Sequence, residues 1–204
     1  MTTLDRNQYV AKIIGKLNGE KVVDLGCRDK ILKKHLIGDF EYIPVDFNPN
    51  INNKDFINHN LENGLPKEID KIDIITAIDV LEHIENIHLV FKECLDKAQK
   101  MIVIALPNIA YYKFRFYFLI TGNISGKYTF HEKKVIDRHR WLTAYYANIG
   151  FIKKNTPLNW KIYKYNFIAQ RKRNLIFYYI EKFLSKFFPQ LFVYENIFIL
   201  KRTN

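Results

Sequence analysis

The chain has 204 residues, of which 48% are hydrophobic and 26% are charged. This length predicts one domain over 1–204 with a buried core. The hydrophobic fraction excludes a disordered chain. The charged fraction excludes a membrane helix bundle, and no stretch of about 18 uncharged apolar residues occurs. The formal net charge of +11 is compatible with binding to a nucleic acid, an anionic membrane or an acidic substrate. Lysines scattered over a solvated surface would explain this charge equally well.

Strands and helices alternate through the first half of the chain. The predicted elements are a helix at 5–18, a strand at 21–26, a helix near 29–37, strands at 41–46, 54–58 and 72–78, a helix at 85–98 and a strand at 101–106. Pro44 lies inside the second strand, where it predicts a bulge or a sheet edge. This alternation predicts βαβ units, a parallel sheet and a doubly wound α/β fold.

The pattern changes after Pro107. The later predicted elements are an aromatic and basic insertion at about 108–140, a helix at 141–149 with Gly150 as its C-cap, a strand from Phe151, a helix at 174–188 and a final strand near 193–201. The helix at 174–188 carries aromatic residues at helical spacing. We interpret this stripe as core packed against the sheet.

Two residues mark the ends of the first two predicted strands. In an open parallel sheet, ligands bind outside the carboxyl ends of the strands. Gly26 ends the first strand and permits a close backbone approach to a ligand. Asp46 ends the second strand, where a carboxylate can accept hydrogen bonds from both hydroxyls of a ribose. Together they favour an adenosine-containing ligand, and a loop with only one glycine argues against a dinucleotide.

Several segments resemble class I S-adenosylmethionine-dependent methyltransferases. The matching segments are VVDLGC at 22–27, NLENGLP at 60–66 and TAIDVLEHI at 76–84. LPN at 106–108 and RHRWLT at 138–143 extend the likeness toward the MetW-like and small-molecule O-methyltransferase branch. The resemblance implies a mostly parallel, seven-stranded Rossmann-like sheet with an antiparallel last strand, and S-adenosylmethionine as cofactor.

The resemblance also implies roles for particular residues. Asp24 and the Gly26 backbone would hold the methionine end of the cofactor, and Asp46 would bind its ribose. Asn60 stands where the family often has an Asp that meets the adenine amine, and its amide oxygen can still accept a hydrogen bond. The full set of implied cofactor-binding residues is Asp24, Gly26, Cys27, Asp46, Phe47, Asn60, Leu61, Ala77 and Ile78. Phe47 is either a ring that packs on the adenine or an ordinary apolar loop residue.

The candidate catalytic residues follow the strand at 72–78. Asp79, Glu82 and His83 are spaced three and four residues apart, so in a helical turn all three would point to one side. They resemble the Glu-x-x-Glu-His element of certain metal-assisted O-methyltransferases and could hold a divalent cation that polarises a hydroxyl. The alternative, which the sequence favours, is a metal-free site in which Glu82 and His83 shape the cleft wall.

His139 is the other catalytic candidate, as a base or as a fourth ligand. Its neighbours Arg138 and Arg140 would lower the pKa of an imidazole and favour the neutral base. An equally good interpretation is a polar residue that precedes the helix anchored by Trp141.

The segment 111–120 interleaves aromatic rings with cations and has three interpretations. It could be a lid over an apolar acceptor pocket, an amphipathic patch on an anionic membrane, or core or a dimer face, which we favour. Rings and cations also suit stacked bases, but no RNA-binding motif accompanies them. The oligomeric state expected is a monomer or a homodimer.

The leading hypothesis is a cytoplasmic methyltransferase that acts on a small or lipid-like acceptor, at an oxygen atom. Cys27 and Cys94 match no metal-ligand spacing and suit a reducing compartment, and no secretion leader precedes them. One rival is a catalytically silent binding or regulatory module, supported by Arg28 and Lys30 where the family usually has glycines and by Asn60 where it often has an Asp. The other rival is an RNA methyltransferase.

Overall fold

The computed structural model describes residues 5–47, 56–124, 126–128, 138–168 and 175–203. Its strands and helices are α1 (Arg6–Ile14), β1 (Lys16–Leu25), β2 (Ile37–Asp46), β3 (Ile57–Asn58), β4 (Ile72–Ile78), α2 (Ile87–Lys97), β5 (Ala98–Pro107), α3 (Tyr112–Thr121), α4 (Tyr145–Asn155), β6 (Trp160–Phe167), α5 (Leu175–Phe187), α6 (Pro189–Phe192) and β7 (Glu195–Arg202). Short 3₁₀ turns occupy Lys33–His35, Leu61–Asn63, Leu81–His83 and Gly126–Tyr128. In the described part of the chain, no helix is long and apolar enough to cross a membrane.

The strands form one seven-stranded sheet in the order β3-β2-β1-β4-β5-β7-β6. The pairs among β1 to β5 are parallel, and β7 runs antiparallel to both β5 and β6. This confirms the predicted fold class. The strand order reverses between β1 and β4, which is where an open α/β sheet offers its ligand crevice.

Alternate residues of the strands build a core on each face of the sheet. Val23 and Leu25 of β1 pack on one face with Phe91 of α2 and Ile152 of α4. Val22 packs on the other face with Val10 of α1. Both faces are therefore covered, as a doubly wound sheet requires.

The first helix is shorter than predicted. Asp5 caps α1 in a reciprocal capping box with Gln8, and Gly15, at φ +80°, ends the helix. Residues 16–18 already belong to β1, so the prediction of a helix to residue 18 was wrong. Gly15 adopts a backbone conformation that breaks the helix before Leu17, and Leu17 is buried in the sheet core instead.

The helix predicted near 29–37 is only the turn Lys33–His35. Arg28 and Lys30 both adopt positive φ, at 43° and 53°, which interrupts any helix at that point. Pro44 lies in β2, where the described β3 pairs only with Val45 and Asp46. The proline therefore occupies an edge position, as predicted.

The elements after β5 differ most from the sequence predictions. The helix predicted at 141–149 is α4, which continues through Gly150, so Gly150 is not its C-cap. The prediction of a strand from Phe151 was wrong, because the next strand is β6. A glycine in a helix costs about 1 kcal/mol, and burial of Ile152 offsets it. The helix predicted at 174–188 is α5, but its aromatic stripe is exposed, so the interpretation of this stripe as core packed against the sheet was wrong.

Candidate functional site

The ends of β1, β2 and β4 meet at one edge of the sheet. Leu25 pairs with Val45 on one side and with Ala77 on the other. The backbone N–H groups of Gly26 and Cys27 both donate to the Val45 carbonyl oxygen, at 2.8 and 3.1 Å. The first loop is therefore held against the end of β2, and Gly26 and Asp46 lie close together.

Gly26 occupies a position that only glycine fits. Its φ is +66°, and a Cβ atom built on it would lie 2.4 Å from Cγ2 of the buried Val80. The loop after β1 thus passes directly over the segment that follows β4. The close neighbour seen at Gly26 is the Val80 side chain, and the expected approach of a ligand to this backbone stays a prediction.

Asp24 joins the three strand ends from inside the sheet. Its carboxylate accepts hydrogen bonds from the Thr76 hydroxyl, at 2.8 Å, and from the Tyr42 hydroxyl. The side chain is almost fully buried, and burial raises the pKa of Asp24 to about 6 in spite of these two donors. The Asp24 side chain therefore holds the ends of β1, β2 and β4 together.

Asp46 faces the first loop. Its carboxylate accepts from the backbone N–H of Arg28, at 2.6 Å, and of Phe47, at 2.7 Å. Arg28 and Lys30 hold the left-handed backbone conformation that glycine prefers, so the loop keeps a glycine-like backbone shape in spite of the two long side chains. The Phe47 ring is 42% exposed at this edge.

The other predicted cofactor residues flank the same edge. The Asn60 amide oxygen accepts from Glu62 N at 3.1 Å and so caps the turn Leu61–Asn63, in which Leu61 is buried. Ala77 is buried in β4, and Ile78 is partly exposed at its end. Cys27 is buried, and burial raises its thiol pKa to about 12.

Three of the four candidate catalytic residues come together. Ligand atoms of Glu82, His83 and His139 all lie within 4.8 Å of one another, and the two imidazole rings are 4.5 Å apart, edge to face. The segment that carries His139 is fixed to the turn after β4, because Arg140 N donates to the Glu82 carbonyl at 2.7 Å and the Trp141 indole donates to the Ile84 carbonyl at 2.8 Å.

Hydrogen bonds define the tautomers of both histidines. His83 Nδ1 lies 3.0 Å from the Arg138 carbonyl oxygen, which can only accept, so Nδ1 carries the proton. The Tyr128 hydroxyl donates to the Trp141 carbonyl at 3.2 Å and lies 2.8 Å from His139 Nδ1, so the phenol oxygen accepts from this nitrogen. In the neutral form of each ring, this arrangement leaves the lone pair on Nε2.

Glu82 is a buried carboxyl group with unsatisfied oxygens. Neither oxygen has a hydrogen-bond partner among the described residues, and Oε1 lies 3.8 Å from His83 Nε2. Burial, reinforced by the charge of Asp79, raises the pKa of Glu82 to about 8. Such a group in a native site indicates a ligand or a proton-handling role.

Asp79 does not join this group. It has a φ of +52° and precedes the turn Leu81–His83, so the expectation that Asp79, Glu82 and His83 share one helical turn was wrong. Its carboxylate pairs with Arg6 of α1, and Arg6 also lies 3.7 Å from the fully buried Glu195 of β7. Sequence reasoning missed Arg6 and Glu195, because nothing local links residues so far apart in the chain.

A family model described as a methyltransferase domain matches residues 5–109. The chain belongs to this family. The match covers β1 to β5, Glu82 and His83 of the methyltransferase domain, whereas His139 and Tyr128 lie beyond it. It confirms the resemblance to class I S-adenosylmethionine-dependent methyltransferases; the MetW-like branch stays a prediction. No curated protein matches the sequence significantly.

Solved structures share the fold of the methyltransferase domain. The small RNA methyltransferase HEN1 is 15% identical with a TM-score of 0.68, over 98% of this chain but only 25% of that protein's chain. A methyltransferase from Archaeoglobus fulgidus is 20% identical with a TM-score of 0.56, over 96% and 92% of the two chains. One from Mesorhizobium loti is 11% identical with a TM-score of 0.54, over 95% and 96%.

Proposed function

We propose that the chain transfers a methyl group from S-adenosylmethionine to a hydroxyl oxygen of a small amphiphilic acceptor, assisted by a divalent cation. The observation that carries the proposal is the grouping of Glu82, His83 and His139 beside the strand ends. The metal-free alternative leaves two buried carboxylate oxygens without hydrogen-bond partners among the described residues. That cost favours the metal-assisted form.

The strand ends supply the residues that would hold the cofactor. Gly26 would keep the first loop close to the strand ends, Asp46 would offer a carboxylate for the ribose hydroxyls, and Phe47 would offer an exposed ring. S-adenosylmethionine supplies an electrophilic methyl group. The chain's own part is to align the acceptor oxygen with that group and to exclude water.

Glu82, His83 and His139 would hold the cation. Two imidazoles and one carboxylate form a donor set suited to a divalent ion of the first transition row, such as Mn²⁺. Such an ion lowers the pKa of a hydroxyl bound to it. The Nδ1 hydrogen bonds of His83 and His139 orient the rings and favour the tautomer that presents Nε2, as hydrogen bonds to the other ring nitrogen of metal-binding histidines do.

An apolar cavity of about 690 Å³ would take the body of the acceptor. It lies between α3 and residues 142–144, a few residues after His139, and its wall includes Ile109, Phe114, Phe118 and Leu142. Its size and apolar lining are typical of small-molecule sites. They favour an acceptor with a hydrocarbon part over a polar one.

Calorimetric titration of the full chain with MnCl₂ tests the proposal. We expect one bound equivalent, and Glu82→Gln should weaken binding by at least about 100-fold, because loss of a ligand costs more than loss of its supporting partner. Glu85→Gln is the matched control, since Glu85 is exposed nearby. Absence of Mn²⁺ binding, or equal affinity in Glu82→Gln, would remove the cation from the proposal.

Transfer of radiolabelled methyl groups tests the acceptor class. Lipid extracts should be labelled in the presence of Mn²⁺ and not with excess chelator. Labelling of small RNA alone would assign the RNA class instead. Failure of the chain to bind S-adenosylhomocysteine would favour the silent binding module.

A further inference from the structure

Helix α5 presents its apolar face to solvent and its polar face to the protein. Tyr179, Ile180, Phe183 and Phe187 share one side by helical spacing, and each is about half exposed or more, with Phe187 at 63%. The buried residues of the helix are Glu181 and Ser185. A helix that packs on a protein core has the opposite arrangement.

Hydrogen bonds fix this orientation. The hydroxyl groups of Tyr111 and Tyr112 donate to the Glu181 carboxylate at 3.2 and 2.6 Å. Turning α5 to bury its rings would leave Glu181 without these donors. The exposed face, defined here as Tyr179, Ile180, Phe183 and Phe187 and called the α5 face, therefore stays outward.

Cations border the α5 face. Lys182 and Lys186 are exposed one turn apart at its side. Helix α3, whose first turn is bonded to Glu181 on the other side of α5, carries its own exposed cations, Lys113 and Arg115, among apolar side chains that include Leu119, at 80% exposure. Rings flanked by lysines are the arrangement of helices that lie in a membrane interface, where the long cationic side chains reach the headgroups.

We propose that the α5 face docks on the surface of a bilayer containing anionic phospholipid. Charge complementarity favours this occupant: the chain carries a net charge of +11, and the lysines beside the face would meet negative headgroups. In a symmetric dimer the same lysines would lie near their own copies, which is unfavourable. With 13 residues α5 is about 20 Å long, so it lies in the interface and does not span about 30 Å of hydrocarbon.

Vesicle flotation tests the inference without any assay of methyl transfer. The full chain should float with vesicles of phosphatidylcholine containing phosphatidylserine, and at least about tenfold less with phosphatidylcholine alone. Phe183→Ser with Phe187→Ser should lower partitioning at least about tenfold, because two buried rings are lost. Leu158→Ser with Tyr146→Ser is the control, as both residues are exposed elsewhere.

Charge reversal measures the electrostatic contribution to vesicle binding. Lys182→Glu with Lys186→Glu should lower partitioning by roughly 30-fold or more. Lys153→Glu with Lys154→Glu changes the same charge on exposed positions of α4 and should have a smaller effect. Circular dichroism melts confirm that each variant is folded.

Three outcomes would overturn the inference: no flotation of the wild type, equal flotation of both double-serine variants, or a dimer in sedimentation velocity that only Phe183→Ser with Phe187→Ser dissociates. The last would assign the α5 face to a second copy. The test is independent of the proposed reaction, since a chain that floats without binding Mn²⁺ would remove the cation from the proposed function and leave membrane docking intact.

Discussion

A single buried carboxyl group links three strand ends. Asp24 of β1 accepts from Tyr42 of β2 and from Thr76 of β4, so one side chain ties together the edge at which Gly26 and Asp46 lie. The pKa of Asp24 is raised from 3.8 to about 6, chiefly by burial. The folded chain therefore binds this proton more strongly than the unfolded chain does.

The sign of the effect gives a pH prediction. The stabilisation from protonated Asp24 is fully present below pH 4 and is lost as the pH rises through 6, a change of about 2 to 3 kcal/mol. Asp24→Asn removes this titration. Urea denaturation should show the free energy of unfolding of the wild type falling by that amount relative to Asp24→Asn between pH 4 and pH 8.

Asp96→Asn on exposed α2 surface is the control and should follow the wild type across this range. A constant difference between the wild type and Asp24→Asn at both pH values would contradict a raised pKa of Asp24.

At the scale of elements, the spacing of apolar residues correctly predicted features that depend on short stretches of sequence. In α2 the apolar residues at helical spacing are the buried ones, and β4 has its predicted bounds. The residues at the strand ends were predicted because topology brings the carboxyl ends of parallel strands together. The orientation of α5 could not be predicted, because periodicity shows that a stripe exists but not which side the protein covers.

The ion pairs of α1 show a second limit of sequence patterns. Arg6 stands between Asp79 and Glu195, so the first helix is attached to the loop after β4 and to β7. Glu195 is fully buried, and burial raises its pKa well above the ordinary value in spite of Arg6. No short-range motif encodes a contact among three elements so far apart in the chain.

Removal of Arg6 should destabilise the chain strongly. Arg6→Ala leaves two carboxyl groups without their cation, and we expect a loss of about 3 kcal/mol in the free energy of unfolding, measured with urea at pH 7. Lys12→Ala, at an exposed position of the same helix, should cost little. Adding Glu195→Gln to Arg6→Ala should recover part of the loss. A cost for Arg6→Ala no larger than for Lys12→Ala would show that the α1 pairing contributes nothing.

In the molecule as a whole, α3 connects the candidate site with the α5 face. One side of α3 lines the apolar cavity with Phe114 and Phe118, and its first turn is bonded to Glu181 of α5. The two proposals are separate, but the cavity wall and α5 both contact α3.

Binding of a cofactor analogue at the strand ends should stabilise the whole molecule. S-adenosylhomocysteine at 100 times its dissociation constant adds about 2.7 kcal/mol, which for a chain of this size raises Tm by roughly 5 to 11 °C. Asp46→Ala should abolish the shift, because it removes the carboxylate proposed to hold the ribose. Asp39→Ala changes an exposed Asp near the opposite end of the same strand, β2, and should keep the full shift. Comparing each variant with and without the analogue cancels its intrinsic effect on Tm. A full shift in Asp46→Ala would place the ribose elsewhere, and no shift in the wild type would remove the cofactor from this edge of the sheet.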